Sequence, residues 1–391
     1  MNIRLQDNYR WYPPAEVRVS IPALISALLP GNADFHEILS TYLMLEHCIC
    51  AGSARMLFSL LLQELWKREG KQRDEVLIPG YTCYSVAASV ARAGLKIRVY
   101  DLDPGTFQPD LDSVKLSMDN STLAVVTQHL FGIPSPVMEI KKLARETGAY
   151  LIEDAAQSLG ATLDGHQTGT FGDFGFFSFG RGKPLPLGWG GALVGKYPSI
   201  LEEIHWPREG RGYRQLLTTA IIQVLSHPIM YGFMEALPLG LGETIFDPGF
   251  EISPMSPVIQ RLGRHAIESL KDLNAHRCSI AEIYSNELGD YGSVAVADGS
   301  CPIYTRFPLM AGSGTLPQEL RKLGVRRMYP KALTDEPDIR RFFADEGLKT
   351  PGASMIAEKL MTLPTHMGIT QDTASAIAFE IKGLFKAGRP L

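Results

Sequence analysis

Apolar runs of strand length alternate with amphipathic, helix-length segments from about residue 48 to 195. "DEVLIPG" reads as a buried strand, "SVAASVARAG" as a small-residue helix ended by Gly94, and "LKIRVYDLDP" as the next strand, ended by Pro104. The cycle repeats through strand-like "LAVVTQHLFG", the amphipathic helix "SPVMEIKKLARETG" closed by Gly148, and the strand "AYLIEDAA". Strand, helix, strand at this spacing predicts an α/β fold with a mainly parallel sheet covered by helices. In such sheets the functional residues gather at the carboxyl ends of the strands.

From Leu201 to Pro254 the rhythm breaks. "LLTTAIIQVLSHPIMYGFMEALPLGLG" is nearly free of charge, but His227-Pro228 and Pro238 interrupt it before it reaches the roughly 20 apolar residues a bilayer requires. A helix packed on the body or on a second subunit is expected here. A shallow membrane contact is not favoured, because an interfacial helix wants more Lys and Arg on its polar face. "FDPGFEISPMSP" reads as an irregular connector, and "VIQRLGRHAIESLKDLNAHRCSIAEIYSNELG" as a long helical pattern. The remaining short, mixed elements end in "TASAIAFEIKGLF" and suit a smaller α+β domain. The expected division is a large domain over 1–254, with the apolar insertion at about 205–254, and a small C-terminal domain over 255–391.

Charge and composition narrow the partners. With 38 basic against 42 acidic side chains the net charge is −4, which leaves no global basic field for nucleic acid or an anionic membrane. A composition of 45% hydrophobic and 20% charged residues belongs to folded globular chains. The first twenty residues have polar side chains and a Pro pair where a signal peptide would have an apolar core, so a cytoplasmic location is expected. Cysteines at 48, 50, 83, 278 and 301 form an odd, scattered set, which supports neither a disulfide framework nor a metal site.

The candidate chemistry centres on "FFSFGRGKPLPLGWGG", where Lys183 stands among glycines and prolines. A Walker-type phosphate loop fails on spacing, since Phe177 and Pro184 occupy the places of its glycine and its Ser or Thr. Lys183 is then either a loop charge or a covalent group with helpers elsewhere. "YLIEDAAQSLGA" offers Asp154 and Gln157, three apart and side by side if the chain turns helically after the strand; Asp154 alone could equally cap a helix. Gly52-Ser53-Ala54 precedes an apolar helix, where free N–H groups and a hydroxyl would seat a phosphate, although Ser53 alone could be an ordinary N-cap. Ser178, five residues before Lys183, is a second hydroxyl for the same anion.

"IEDAAQSLGA", "GTFGDFGFFSF", a lysine five residues after the serine and "GGALV" resemble the DegT/DnrJ/EryC1/StrS family of sugar aminotransferases. "AGSARM", "DEVLIPGYT", "VYDLDPGTF" and "VTQHLFGIP" match weaker family blocks in the same order, so the resemblance spans roughly residues 48 to 195. It implies the aspartate aminotransferase (type I) fold and pyridoxal 5'-phosphate (PLP) as cofactor. By the same resemblance Lys183 would hold the cofactor aldehyde as a Schiff base and then move a proton as base and acid, which requires a neutral amine. Asp154 would keep the pyridine nitrogen protonated, and Gln157 would lie by the ring's 3-oxygen. Ser178, Ser53 and the N–H groups of Gly52 and Ala54 would bind the phosphate.

Departures from the family pattern are informative. Gly180 replaces a histidine, Pro184 follows the lysine in place of asparagine, and Trp189 replaces an acid, which changes the charge expected near the reaction centre. Relatives with histidine in place of the lysine deoxygenate their substrates, so retention of Lys183 favours transamination. In "PGYTCYS" Cys83 stands where the family's ring-stacking aromatic belongs, and either Tyr81 or Tyr84 would replace it, Tyr84 being favoured. Ile252 and Pro254 replace the asparagine and arginine of a block that reaches the neighbouring subunit. Tyr329 in "MYPKAL" and His366 in "MTLPTH" either face the substrate or pack in the small domain. The expected activity moves an amino group from glutamate to a nucleotide-linked keto-sugar, in a homodimer. The alternatives are PLP chemistry on another carbonyl, elimination of a substituent, or a low-turnover PLP-binding scaffold or regulator.

Overall fold

The alternating segments form one twisted sheet. Its strands are β1 (Cys48–Ala51), β2 (Glu75–Pro79), β3 (Lys96–Tyr100), β4 (Thr122–Gln128) and β5 (Tyr150–Asp154). After a hairpin of β6 (Thr162–Leu163) and β7 (His166–Gln167), β8 (Phe174–Ser178) and β9 (Gly191–Gly195) complete it. The order is β1-β9-β8-β5-β4-β2-β3, parallel from β8 through β3 and antiparallel where β9 meets β8 and β1. Buried on both faces, β2, β4 and β9 carry continuous apolar runs rather than alternating ones. The computed structural model describes residues 11–206, 212–225, 227–235, 245–345 and 347–387. The first ten residues of the N-terminal reading, and Pro238 of the apolar insertion, lie outside them.

Helices α1 (Ile21–Leu28) and α2 (Phe35–Leu43) precede the sheet; α3 (Ala54–Arg68), α4 (Tyr84–Ala93), α5 (Leu111–Ser117) and α6 (Val137–Thr147) connect its strands. Gly94 and Gly148 end α4 and α6 with φ of 82° and 70°, as their sequence positions imply. One core layer joins α3 and α4 to the inner sheet face through Leu57, Leu61, Val86, Val90, Val126 and Ile152. Each such side chain contributes about 1.5–3 kcal/mol when fully buried.

The apolar insertion packs on the body, as helices Gly212–Leu225 and Pro228–Glu235. Leu216 and Tyr231 are buried, and the buried Thr219 hydroxyl donates to the Leu187 carbonyl at 2.8 Å. Leu217, Ile221 and Val224 face outward. Among the described residues no helix is long and apolar enough to cross a membrane. The segment 245–256 is irregular, and the long helical pattern after it divides into Pro257–Ala266, a 3-10 turn and Leu270–Leu288. Helix Pro257–Ala266, although it lies beyond residue 254, packs with α1 and α2 against the large body through Val258, Ile259 and Leu262. The C-terminal core instead joins Leu270–Leu288 and Gln371–Lys386 to an antiparallel pair of strands, Arg306–Met310 and Leu360–Pro364.

Candidate active site

Four elements end around one cavity of about 230 Å³. Asp154 is the last residue of β5 and Ser178 the last of β8, while Ser53 caps α3 and Cys83 caps α4. Lys183 enters from the loop between β8 and β9, and Ala54, Arg55, Ser85, Ser89 and Gln157 also line the cavity. Phe58 and Phe176, stacked with centroids 4.9 Å apart, close it on the core side. The sequence thus delivers Lys183, Asp154, Gln157, Ser178, Ser53 and Ala54 to a single place.

Each side chain is held by an identifiable partner. Asp154 Oδ1 accepts the Ala156 N–H at 3.0 Å, and among the described residues no donor reaches Oδ2. Burial raises its carboxyl above the usual range, opposed by the charge of Lys183 and by the Ala156 N–H it accepts. Gln157 is pinned at both ends of its amide: its oxygen accepts the Phe131 N–H at 3.1 Å and its nitrogen donates to the Tyr329 hydroxyl at 3.0 Å. Buried Arg277 donates to the Lys183 carbonyl at 3.3 Å and to Asn274 Oδ1 at 2.6 Å, while Asn274 donates to the Leu159 carbonyl at 3.1 Å. One helix therefore ties the lysine loop to the turn that follows Asp154. Gly182 has φ +72°, its N–H donates to the Glu16 carbonyl at 3.2 Å, and a Cβ there would lie 2.7 Å from that of Ala15. The N-terminal segment thus lies directly on the lysine loop.

Three expectations are corrected by this geometry. Tyr84 does not line the cavity. The chain turns helical at this residue, so its ring points away, and its hydroxyl donates to the Lys331 carbonyl at 3.1 Å; Cys83 holds the cavity position instead. The Gly52 N–H is not free for an anion, because it donates to the Ser253 carbonyl at 2.8 Å. Trp189 is packed in the layer with Leu187, Leu216 and Ile222, away from the cavity lining. Of the two small-domain candidates, Tyr329 touches Gln157, whereas buried His366 bonds with the Pro13 carbonyl at 2.9 Å.

Sequence reasoning missed a buried pair behind the site. Glu153, wholly enclosed, accepts the N–H groups of Gly169 at 2.8 Å and Gly172 at 2.7 Å, and its Oε2 lies 2.9 Å from His129 Nε2. His129 Nδ1 accepts the Ser135 N–H at 3.0 Å, so Nε2 carries the ring proton and donates it to Glu153. The double acid of "IEDAA" was the available signal: the strand's alternation sends one carboxylate to each face. Arg55 was also overlooked, since one arginine in a first helical turn reads as a surface charge.

The cavity fits pyridoxal phosphate. A lysine can take an aldehyde, a carboxyl lacking a donor on one oxygen suits a protonated pyridine nitrogen, and hydroxyls at a helix start suit a phosphate. The family profile of DegT/DnrJ/EryC1/StrS aminotransferases matches residues 25–382. The chain belongs to that family. Pyridoxal phosphate is the cofactor such aminotransferases use. The chain is 34% identical over 183 residues to L-glutamine:2-deoxy-scyllo-inosose aminotransferase of Streptomyces kanamyceticus, a match covering 46% of this chain and 40% of that enzyme's length. It is 25% identical over 366 residues, 90% of each chain, to the erythromycin biosynthesis sensory transduction protein EryC1 of Saccharopolyspora erythraea. Its fold superimposes on E. coli GDP-4-keto-6-deoxy-D-mannose-3-dehydratase with bound hydrated PLP, at a TM-score of 0.74 and 19% identity, covering 95% of this chain and 99% of that one.

Proposed function

We propose that the chain is a cytoplasmic aminotransferase that moves an amino group from glutamate to a nucleotide-linked keto-sugar, in the assembly of polysaccharides or natural products. The observation that carries this reading is the meeting of Lys183 and Asp154 in one cavity with Gln157 beside them. Bound PLP supplies an electron sink conjugated to the reacting carbon. Lys183 Nζ would anchor the aldehyde and afterwards hold the proton leaving the donor's α-carbon, a role open to an amine that lines the cavity and makes no hydrogen bond among the described residues. Asp154 would keep a proton on the ring nitrogen, with Oδ2 the oxygen that has no donor among the described residues. Gln157, fixed by Phe131 and Tyr329, would orient the ring at its 3-oxygen. Ser53, Ser178 and the Ala54 N–H would take the phosphate.

The fold alone does not choose the reaction, since a dehydratase shares it. Lys183 favours transamination over deoxygenation. The outward apolar residues of α1 (Ile21, Ile25, Leu28) and of helix Gly212–Leu225 flank helix Pro257–Ala266 together, which suits burial against a second copy. The test incubates the PLP-loaded protein with keto-sugar nucleotides and either glutamate or glutamine, the donor named for the Streptomyces relative. Mass spectrometry should find the carbonyl replaced by an amine. A product that has lost a hydroxyl, with no nitrogen gained from either donor, would overturn the proposal.

A further inference from the structure

The phosphate end of the cavity has an unusual balance of donors. The Gly52 N–H is consumed by Ser253, the Ser53 hydroxyl already accepts the Met56 N–H at 3.4 Å, and the Ser89 hydroxyl donates to the Arg55 carbonyl at 2.9 Å. A phosphate ester brings a charge of about −1.5 to −2, which neutral hydroxyls alone do not compensate in a partly buried site. Among the lining residues only Lys183 and Arg55 are cationic, and Lys183 is committed to the aldehyde end. Arg55 has no ion-pair or hydrogen-bond partner for its guanidinium among the described residues. Its guanidinium carbon instead lies 4.7 Å from the centre of the buried Phe250 ring. Arg92 sits at the same distance from that ring and is itself anchored to the Pro248 carbonyl at 3.1 Å. Phe250 thus holds Arg55 at the cavity by its face, leaving the N–H fork to be used elsewhere.

We infer that Arg55 is a ligand of the cofactor phosphate, positioned by Phe250. The inference rests on PLP occupying the cavity. Arg55 supplies the charge-assisted hydrogen bonds that the helix start, with its Gly52 N–H diverted, no longer provides. The connector 245–256 then has a purpose beyond linking helices: through Phe250 it fixes the cation, and through Ser253 it diverts the glycine.

The experiment strips the protein of cofactor and titrates it with PLP and, separately, with pyridoxal, which lacks the phosphate, following the yellow absorbance of the Lys183 adduct. Arg55→Met should weaken PLP binding by about tenfold to a hundredfold, the range of a charge-assisted hydrogen bond, and leave pyridoxal binding unchanged. Arg55→Lys, which keeps the charge without the planar fork, should lie between the two, and it carries the test if the methionine variant does not fold. Equal losses for PLP and pyridoxal, or no loss of PLP affinity, would overturn the role of Arg55 alone. Failure of the unaltered protein to take up either compound would overturn the cofactor reading beneath it.

Discussion

Replacing Glu153 by glutamine removes one charge from the pair behind Asp154 without changing its shape. The carboxylate accepts three N–H groups, two at Oε2 and one at Oε1, with no solvent to substitute for it. A glutamine oxygen can serve Gly169 and His129 at one end, but its amide nitrogen then faces the Gly172 N–H, donor against donor. His129 cannot relieve the conflict by moving its proton, because Nδ1 must stay bare to accept from Ser135. An orphaned buried N–H costs about 1–3 kcal/mol, and weakening the other two bonds brings the total to about 3–5 kcal/mol, comparable to breaking a buried pair. For 391 residues the unfolding entropy is about 0.8 kcal/mol per kelvin, so melting should fall by about 4–6 °C. The assay is thermal unfolding of the cofactor-free protein by circular dichroism, with Glu153→Gln beside the unaltered chain. A melting temperature within about 1 °C of the parent would refute the reasoning, since it would mean that the carboxylate is not the acceptor holding this turn.

Asp154 should behave in the opposite sense in the empty protein. Its folded carboxyl titrates above the unfolded value because burial penalises the charge, so ionised Asp154 destabilises the cofactor-free fold. Asp154→Asn should therefore melt higher than the parent at neutral pH, the gap closing as pH falls through the raised value toward the ordinary carboxylate range; differential scanning calorimetry across pH reads it, and a gap independent of pH would count against a titrating carboxyl. With PLP added, the same variant should bind the cofactor yet lose the donor half-reaction, measured by single-turnover absorbance. Gly182→Ala should cost about 1–3 kcal/mol, because a left-handed φ and the 2.7 Å approach to Ala15 act together. Denaturant unfolding checks the stability loss, and unchanged stability would show that the N-terminal segment yields freely at the lysine loop.

How much of this was legible in the chain depended on the range of the forces involved. The strands at 75–79, 96–100, 122–128 and 150–154 declare themselves locally, through apolar runs punctuated by Gly94, Pro104 and Gly148. Lys183, Asp154, Gln157 and Ser178 were legible through the offsets that the family resemblance implies, with Asp154 and Ser178 also marked by the ends of their strands. Tyr84 was not, because its orientation depends on where α4 begins: strand-like alternation after Thr82 would have placed the ring differently from the helical turn that Cys83 caps. The diversion of the Gly52 N–H by Ser253 joins residues two hundred apart, and no local pattern encodes it. Trp189 illustrates a related limit. Its position in the sequence is close to Lys183, but the turn through Gly188 and Gly190 sends it into a different packing layer.

The absorbance spectrum of the purified, PLP-loaded protein before and after addition of glutamate tests the central claim most directly, with Lys183→Ala measured beside it. The unaltered protein should show a yellow band that glutamate converts to the colourless pyridoxamine form, and the lysine variant should show no such band. A yellow band that persists in Lys183→Ala and still responds to glutamate would contradict it, because some other amine would then hold the cofactor and do the chemistry assigned here to Lys183.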